Sequence, residues 1–196
     1  MSFSVETKEK TGPCGEMIHH KAPDMEKEQR DTEYVIKWLL EKTKPYLFNL
    51  NRLKTTNKAY QLKGIDLIGY TDIGTIKIEN KIRDHFYMKE MDILIETLSN
   101  EQRLTPGWIE YSVSDFLAYV YNLNGSIVGH VLDLPKLKKW WKNENKEEYE
   151  IKYSPNEGYR TKNRAVPISK IPSEIWIYSD IISIENNFSL SHYLRK

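Results

Sequence analysis

A chain of 196 residues with 39% hydrophobic and 29% charged side chains is long enough for one domain with a sizeable core. A formal net charge of +1 excludes a chain that coats nucleic acid through bulk positive charge, so any surface for a polyanion has to be local. The single cysteine, Cys14, excludes an internal disulfide and fits a reducing compartment, and no apolar run approaches the roughly 18 residues of a membrane span.

Residues 1–27 are polar, carry Gly12, Pro13, Gly15 and Pro23, and show little periodicity. They read as a flexible N-terminal arm ahead of a single domain over residues 28–196. The start lacks the apolar stretch of a secretory leader, which points to a cytoplasmic protein. His19 and His20 are adjacent and point in different directions, so with Cys14 they read as a solvated tail rather than a metal site.

The first helix is predicted in "RDTEYVIKWLLEKTKPY", capped by Asp31 or Thr32 and stopped by Pro45. Val35, Ile36, Trp38, Leu39 and Leu40 give it a wide apolar face. Glu33 shares a stripe with Ile36 and Leu40, at the edge of that face, although an acid near a helix N-terminus is also favoured by the dipole alone. A short strand is expected near 46–50 or 51–54, then a clear one beginning near Lys63. "TDIG" reads as a hairpin loop and "TIKIENKI" as the return strand. "EMDILIETLSN" predicts a third strand. "TPGWIEYSVSDFLAYVYNL" predicts a loop and then a helix capped by Ser112 or Ser114, with Phe116, Leu117, Val120 and Tyr121 inside. "SIVGHVLDL" predicts a fourth strand, and "DLPKLKKWWKNEN" a helix starting at Asp133 with Pro135 just inside it. The remainder reads as strand and loop with a short helix near its end. This order suggests an α/β fold around a mixed central sheet.

Centring the hairpin turn between Asp72 and Ile73 pairs Tyr70 with Thr75 and Leu67 with Ile78, and sets Asp66 opposite Glu79. Like charges on directly opposed side chains destabilise a sheet. At ~4 Å and an effective dielectric of about 20 the repulsion is roughly 4 kcal/mol, a large fraction of a domain's stability. Protonation of one acid, pairing with Lys81 or a divalent cation would each relieve it, and two hard oxygen donors on adjacent strands are half of a Mg²⁺ site. Glu-x-Lys also occurs at Glu6, Glu144 and Glu150. The Glu150 copy even has Asp133 upstream, but a helix-like segment separates the two. Only Asp66, Glu79 and Lys81 sit on two apolar, turn-linked strands.

Asp66 with Glu79-Asn80-Lys81 resembles the signature of the PD-(D/E)xK nuclease superfamily, which includes restriction endonucleases and Holliday-junction resolvases. The surrounding order over residues 28–142 is similar as well: an acid on the preceding helix (Glu33), a Gln shortly before the Asp (Gln61), then a strand and helix. The segment after the third strand is similar to that of small nucleases, including phage-borne ones, and a phage-encoded protein would act in the host-cell cytoplasm. Ile65 stands where the family pattern has proline. The resemblance implies a restriction-endonuclease-like mixed sheet flanked by helices and a metal-dependent deoxyribonuclease. It implies that Asp66 and Glu79 ligate Mg²⁺ or Mn²⁺, with the Asn80 carbonyl as a third protein ligand. Lys81 would orient or deprotonate the attacking water, Glu33 would bind metal directly or through water, and Gln61 would support the site or touch substrate. The chemistry fits: phosphodiester hydrolysis needs a nucleophile at neutral pH and neutralisation of developing charge, which a divalent cation and an ammonium provide.

For DNA contact, Lys136, Lys138, Lys139 and Lys142 crowd one helix, and Arg160, Lys162 and Arg164 follow in "GYRTKNRAVP", a loop suited to clamping phosphates. Thirteen tyrosines and five tryptophans read first as packing, with Trp108, Trp140 and Trp141 in that role. A member that cuts both strands of a duplex needs two sites, so a homodimer is the assembly expected in that case. Two alternatives share the fold: a catalytically inactive nucleic-acid-binding or inhibitory protein, and an RNA-cleaving enzyme.

Overall fold

The computed structural model describes residues 25–43, 46–47 and 50–181. Helix α1 (Met25–Lys42) opens the described chain. Met25–Lys27 therefore belong to its first turn and not to an arm. Residues 1–24, with Cys14, His19 and His20, lie outside the described residues, as does Pro45. Asp31 and Thr32 are interior to α1 rather than caps. Asp31 is buried and accepts a hydrogen bond from Asn122 Nδ2 at 2.7 Å, and the Thr32 hydroxyl bonds back to the Glu28 carbonyl at 2.8 Å.

Strand β1 (Arg52–Thr55) is followed by the one-turn helix α2 (Lys58–Gln61), which Asn57 caps by accepting from the Ala59 and Tyr60 N–H groups. Strands β2 (Leu67–Thr71) and β3 (Gly74–Asp84) complete an antiparallel meander. The hairpin has the register read from its centred turn: Leu67 pairs with Ile78 and Tyr70 with Thr75. A 3₁₀ turn leads to β4 (Asp92–Asn100), the short β5 (Thr105–Pro106) and the one-turn helix α3 (Trp108–Tyr111).

The helix expected from Phe116 onward is instead strand β6 (Phe116–Leu123). Its run "FLAYVY" is buried on both faces, and a short continuous apolar run does not distinguish a central strand from a buried helix by periodicity. Phe116, Ala118 and Val120 join one core cluster, and Leu117, Tyr119 and Tyr121 the other. Strand β7 (Ser126–Asp133) and helix α4 (Leu134–Asn143) follow, and Asp133 caps α4 by accepting from the Lys136 N–H at 2.9 Å, with Pro135 in the first turn. Strands β8 (Glu150–Asn156) and β9 (Tyr159–Pro167) form a hairpin, two short 3₁₀ turns replace the helix expected near the end, and β10 (Trp176–Ser179) closes the described chain.

The architecture is mixed α/β. A six-stranded sheet runs β1-β2-β3-β6-β7-β10, with β3 and β6 parallel and the other neighbours antiparallel; a four-stranded antiparallel sheet runs β5-β4-β9-β8. Against one face of the larger sheet, Val35, Trp38 and Leu39 of α1 cluster with Leu67, Ile76 and Ile78. On the other, Leu117, Tyr119, Tyr121 and Leu132 cluster with Ile93, Ile95 and Val166 of the smaller sheet and with Leu137 and Trp141 of α4. Trp108 and Trp141 are core residues, which accounts for part of the aromatic load. Among the described residues no helix is long and apolar enough to cross a membrane.

Candidate active site

The β2–β3 ladder ends at Leu67–Ile78, and Asp66, just ahead of β2, departs from the regular register but stays close enough for its charge to act on Glu79. The Asp66 N–H donates to the Ile78 carbonyl at 2.9 Å, and the Asn80 N–H donates to Asp66 Oδ2 at 2.8 Å. A carboxylate thus takes the place of the next ladder carbonyl. In a strand, one residue's N–H and C=O lie on the same edge, so the Asn80 carbonyl also faces the Asp66 side. The Asn80 side chain lies on the face shared with Ile78 and Ile82, the face α1 covers, and its Oδ1 is buried without a hydrogen-bond partner among the described residues.

Alternation along β3 puts Glu79, Lys81 and Arg83 on the face opposite α1. Glu79 is only 1% exposed. Its Oε1 lies 2.6 Å from Lys81 Nζ, and its Oε2 lies 3.3 Å from the Ser112 hydroxyl. Burial pushes the Glu79 carboxyl above the ordinary range; Lys81 opposes this and the nearby Asp66 adds to it. The Lys81 ammonium, whose side chain is 32% exposed, is held above its usual value because Glu79, Asp66 and Glu96 together outweigh its partial desolvation. The ammonium therefore stands beside the paired acids as their counter-charge, and it stays protonated at neutral pH in this arrangement.

A local strap shapes the site. Gly64 adopts φ +66°, and a methyl group there would lie 2.5 Å from Ser112 Cβ and 2.6 Å from Glu79 Oε2. The Gly64 carbonyl accepts from both the Ser112 and Ser114 hydroxyls, at 2.8 and 2.5 Å, and the Val113 N–H donates to the Lys63 carbonyl at 2.9 Å. Ser112 and Ser114, expected as helix caps, instead bind the loop before Asp66 to the segment leading into β6. Lys138 of α4 reinforces that segment by donating to the Glu110 and Ser112 carbonyls at 2.9 and 2.8 Å. Glu96, on β4, accepts from the Trp108 N–H at 3.2 Å and adds its charge near Lys81 and near the Tyr111 phenol, which burial and Glu79 push up.

Other expected participants stand apart. Glu33 is exposed on α1, whose buried stripe packs on the face of the sheet opposite to Glu79, and it lines a shallow groove with Ile36, Lys37, Leu40 and Glu41. Gln61 is exposed at the end of α2 and donates from Nε2 to the Thr56 carbonyl at 3.4 Å. The segment expected as a phosphate-clamping loop is mostly β9, a ladder strand between β4 and β8. Arg164 is 8% exposed, with one nitrogen on the Tyr149 carbonyl at 2.8 Å and another on Glu147 at 2.9 Å, so it cannot also reach a phosphate. Arg160 pairs with Glu101 and covers the Tyr153 ring at 4.1 Å, and Lys162 is half-buried. In the lysine-rich helix, Lys136 pairs with Asp133 at 3.2 Å, leaving Lys139 and Lys142 as its exposed lysines.

The sequence reading missed Gly64, Glu96 and the strap role of Ser112. Gly64 immediately before Ile-Asp was a local hint, but Glu96 comes from the other sheet and nothing near it in sequence announces it. Among the described residues no group of three or more His, Cys, Asp or Glu side chains is gathered tightly enough to hold a metal by itself. Two carboxylates and a backbone carbonyl suit an ion that keeps several water or substrate oxygens, as Mg²⁺ does. Comparisons with family models, with curated proteins and with solved structures gave no match.

Proposed function

We propose that this chain is a Mg²⁺- or Mn²⁺-dependent deoxyribonuclease with a restriction-endonuclease-like arrangement of its larger sheet. The observation that carries the reading is the closeness of two acids at the base of one tight hairpin: the Asp66 carboxylate accepts from the N–H of Asn80, next to Glu79, and the Lys81 ammonium lies 2.6 Å from Glu79. A divalent ion, when bound, supplies acidity to water and charge neutralisation at the phosphate. Asp66 and Glu79 would hold it, with the Asn80 carbonyl on the same edge. Lys81 is the group that yields: its ammonium compensates Glu79 in the free protein and, released, is positioned to bond a phosphate oxygen or the incoming water. Ser112 and Gly64 fix the Glu79 carboxylate, and Glu96 keeps the lysine charged and close. Replacing Lys81 with Arg is expected not to restore activity, because a planar fork does not fit where a compact ammonium sits.

The test is incubation with single-stranded, duplex and branched DNA, and with RNA, in Mg²⁺ or Mn²⁺. EDTA, Asp66→Ala, Glu79→Ala and Lys81→Ala are each expected to abolish cleavage. Cleavage that survives EDTA or Lys81→Ala refutes the reading, and RNA as the sole substrate redirects it to an RNA-cleaving enzyme.

One observation favours a second reading. Both Glu79 oxygens are engaged, by Lys81 and Ser112, and the residue is almost wholly buried. In a non-catalytic nucleic-acid-binding protein that pair is a structural clasp, and Lys81→Ala then lowers the melting temperature while binding survives without metal.

A further inference from the structure

The face of the larger sheet that carries Glu79 is covered by the smaller sheet over β6, β7 and β10, and at the end of β3, where Arg83 pairs with Asp92 of β4. Over β1, β2 and the start of β3, up to Lys77, it is open. The registers Arg52–Tyr70, Lys54–Ile68, Ile68–Lys77 and Tyr70–Thr75 place Arg52, Lys54, Ile68, Tyr70 and Lys77 on this face, which continues through Asp66 and Glu79 to Lys81. Arg52, Lys54 and Lys77 are exposed, and none of the three forms an ion pair within the described residues. Half-buried Ile68 and Tyr70 form an apolar floor between them, with Lys54 Nζ 5.7 Å from the centre of the Tyr70 ring. Arg83, Lys152 and Arg160 are neutralised by acidic neighbours, whereas these three cations gather on one uncovered face without an ion pair among the described residues.

We infer that this open face is a platform for single-stranded DNA leading into the Asp66–Glu79–Lys81 site. Charge complementarity selects a polyanion, and its alignment with the site selects the strand to be cut; this identification rests on the nuclease reading. The single strand is favoured over the duplex by the apolar floor. An unpaired base can lay its face on a ring or aliphatic surface between phosphate-binding cations, whereas a duplex keeps its base faces stacked inside. Both one-turn helices near the site are also too short to fill a major groove.

The test is fluorescence anisotropy in EDTA with a labelled single-stranded oligonucleotide and its duplex, across a salt series. Wild-type protein is expected to bind the single strand more tightly. The triple variant Arg52→Ala/Lys54→Ala/Lys77→Ala is expected to weaken it about ten-fold or more near 0.1 M salt. It is also expected to flatten the slope of log K against log salt by about 2, because each phosphate that is no longer neutralised removes roughly 0.7 from that slope. Its melting temperature is expected to match wild type, because all three side chains are exposed. Lys37→Ala/Lys170→Ala, at two exposed positions away from this face, serves as the control and is expected to bind as wild type. Preference for duplex, an unchanged slope in the triple variant, or equal weakening in the control overturns the platform. Because the assay needs neither metal nor cleavage, a protein that binds as expected but cuts nothing overturns the nuclease reading and leaves the platform standing.

Discussion

Gly64→Ala perturbs the site from its backbone, and its cost can be worked from two contributions. The first is conformational: at φ +66° a residue with a Cβ costs about 1–2 kcal/mol relative to glycine. The second is steric: the methyl would lie 2.5 Å from both Ser112 Cβ and Ser112 Oγ and 2.6 Å from Glu79 Oε2, none of which is the free end of a long side chain. Relief requires the strap to shift, at the ~1–3 kcal/mol typical of overpacking. The sum is about 3 kcal/mol, or a fall in melting temperature of roughly 6–12 °C for a domain of this size. Gly158→Ala isolates the first contribution, since Gly158 has φ +76° and nothing within 4 Å of the added methyl; about 1 kcal/mol is expected there. Adding Ser112→Gly to Gly64→Ala is expected to recover part of the difference. Urea denaturation of the four proteins, with cleavage assayed alongside, measures each quantity. Equal destabilisation by Gly64→Ala and Gly158→Ala refutes the crowding argument, and full cleavage activity in Gly64→Ala refutes the claim that the strap positions Glu79.

The remaining predictions concern charge. Lys81→Met leaves a buried carboxylate without its counter-ion and is expected to cost about 3 kcal/mol at neutral pH; the deficit shrinks on acidification as Glu79 takes up a proton, which urea titrations at several pH values would register. His130 is fully buried between β6 and β10, its Nδ1 2.8 Å from Ser179 Oγ and its ring 5.0 Å from that of Trp176, and burial lowers its pKa to about 4. Between its unfolded pKa near 6.5 and about 4, the unfolded chain binds a proton that the native protein does not, so stability falls as pH drops, by up to about 3 kcal/mol. His130→Phe is expected to flatten that part of the stability–pH curve, and an unchanged slope refutes the assignment. Arg164→Ala is expected to destabilise by about 1–3 kcal/mol with no change in DNA affinity, because its nitrogens serve Tyr149 and Glu147. Glu33→Gln is expected to leave metal-dependent cleavage unchanged, since Glu33 lies across the sheet from the paired acids.

Local chemistry alone specified the β2–β3 hairpin with its register from Leu67–Ile78 to the turn, and the start of α4 at Asp133 and Pro135. Each depends on residues within one turn or on two strands joined by one, so alternation, turn length and capping leave few options. Tertiary structure decided what those signals do not reach. "FLAYVY" became a strand because β3 and β7 flank it and both its faces are covered, a fact about neighbours rather than period. Glu33 was separated from the acids because α1 docks on the opposite side of the sheet. Glu96 and Ser112 joined the site through contacts across the smaller sheet and the strap, and Arg164 was drawn inward by partners fifteen and seventeen residues away. The open basic face arose because the smaller sheet stops short of β1, β2 and the start of β3, and strand order, not any single stretch of sequence, sets where that coverage ends.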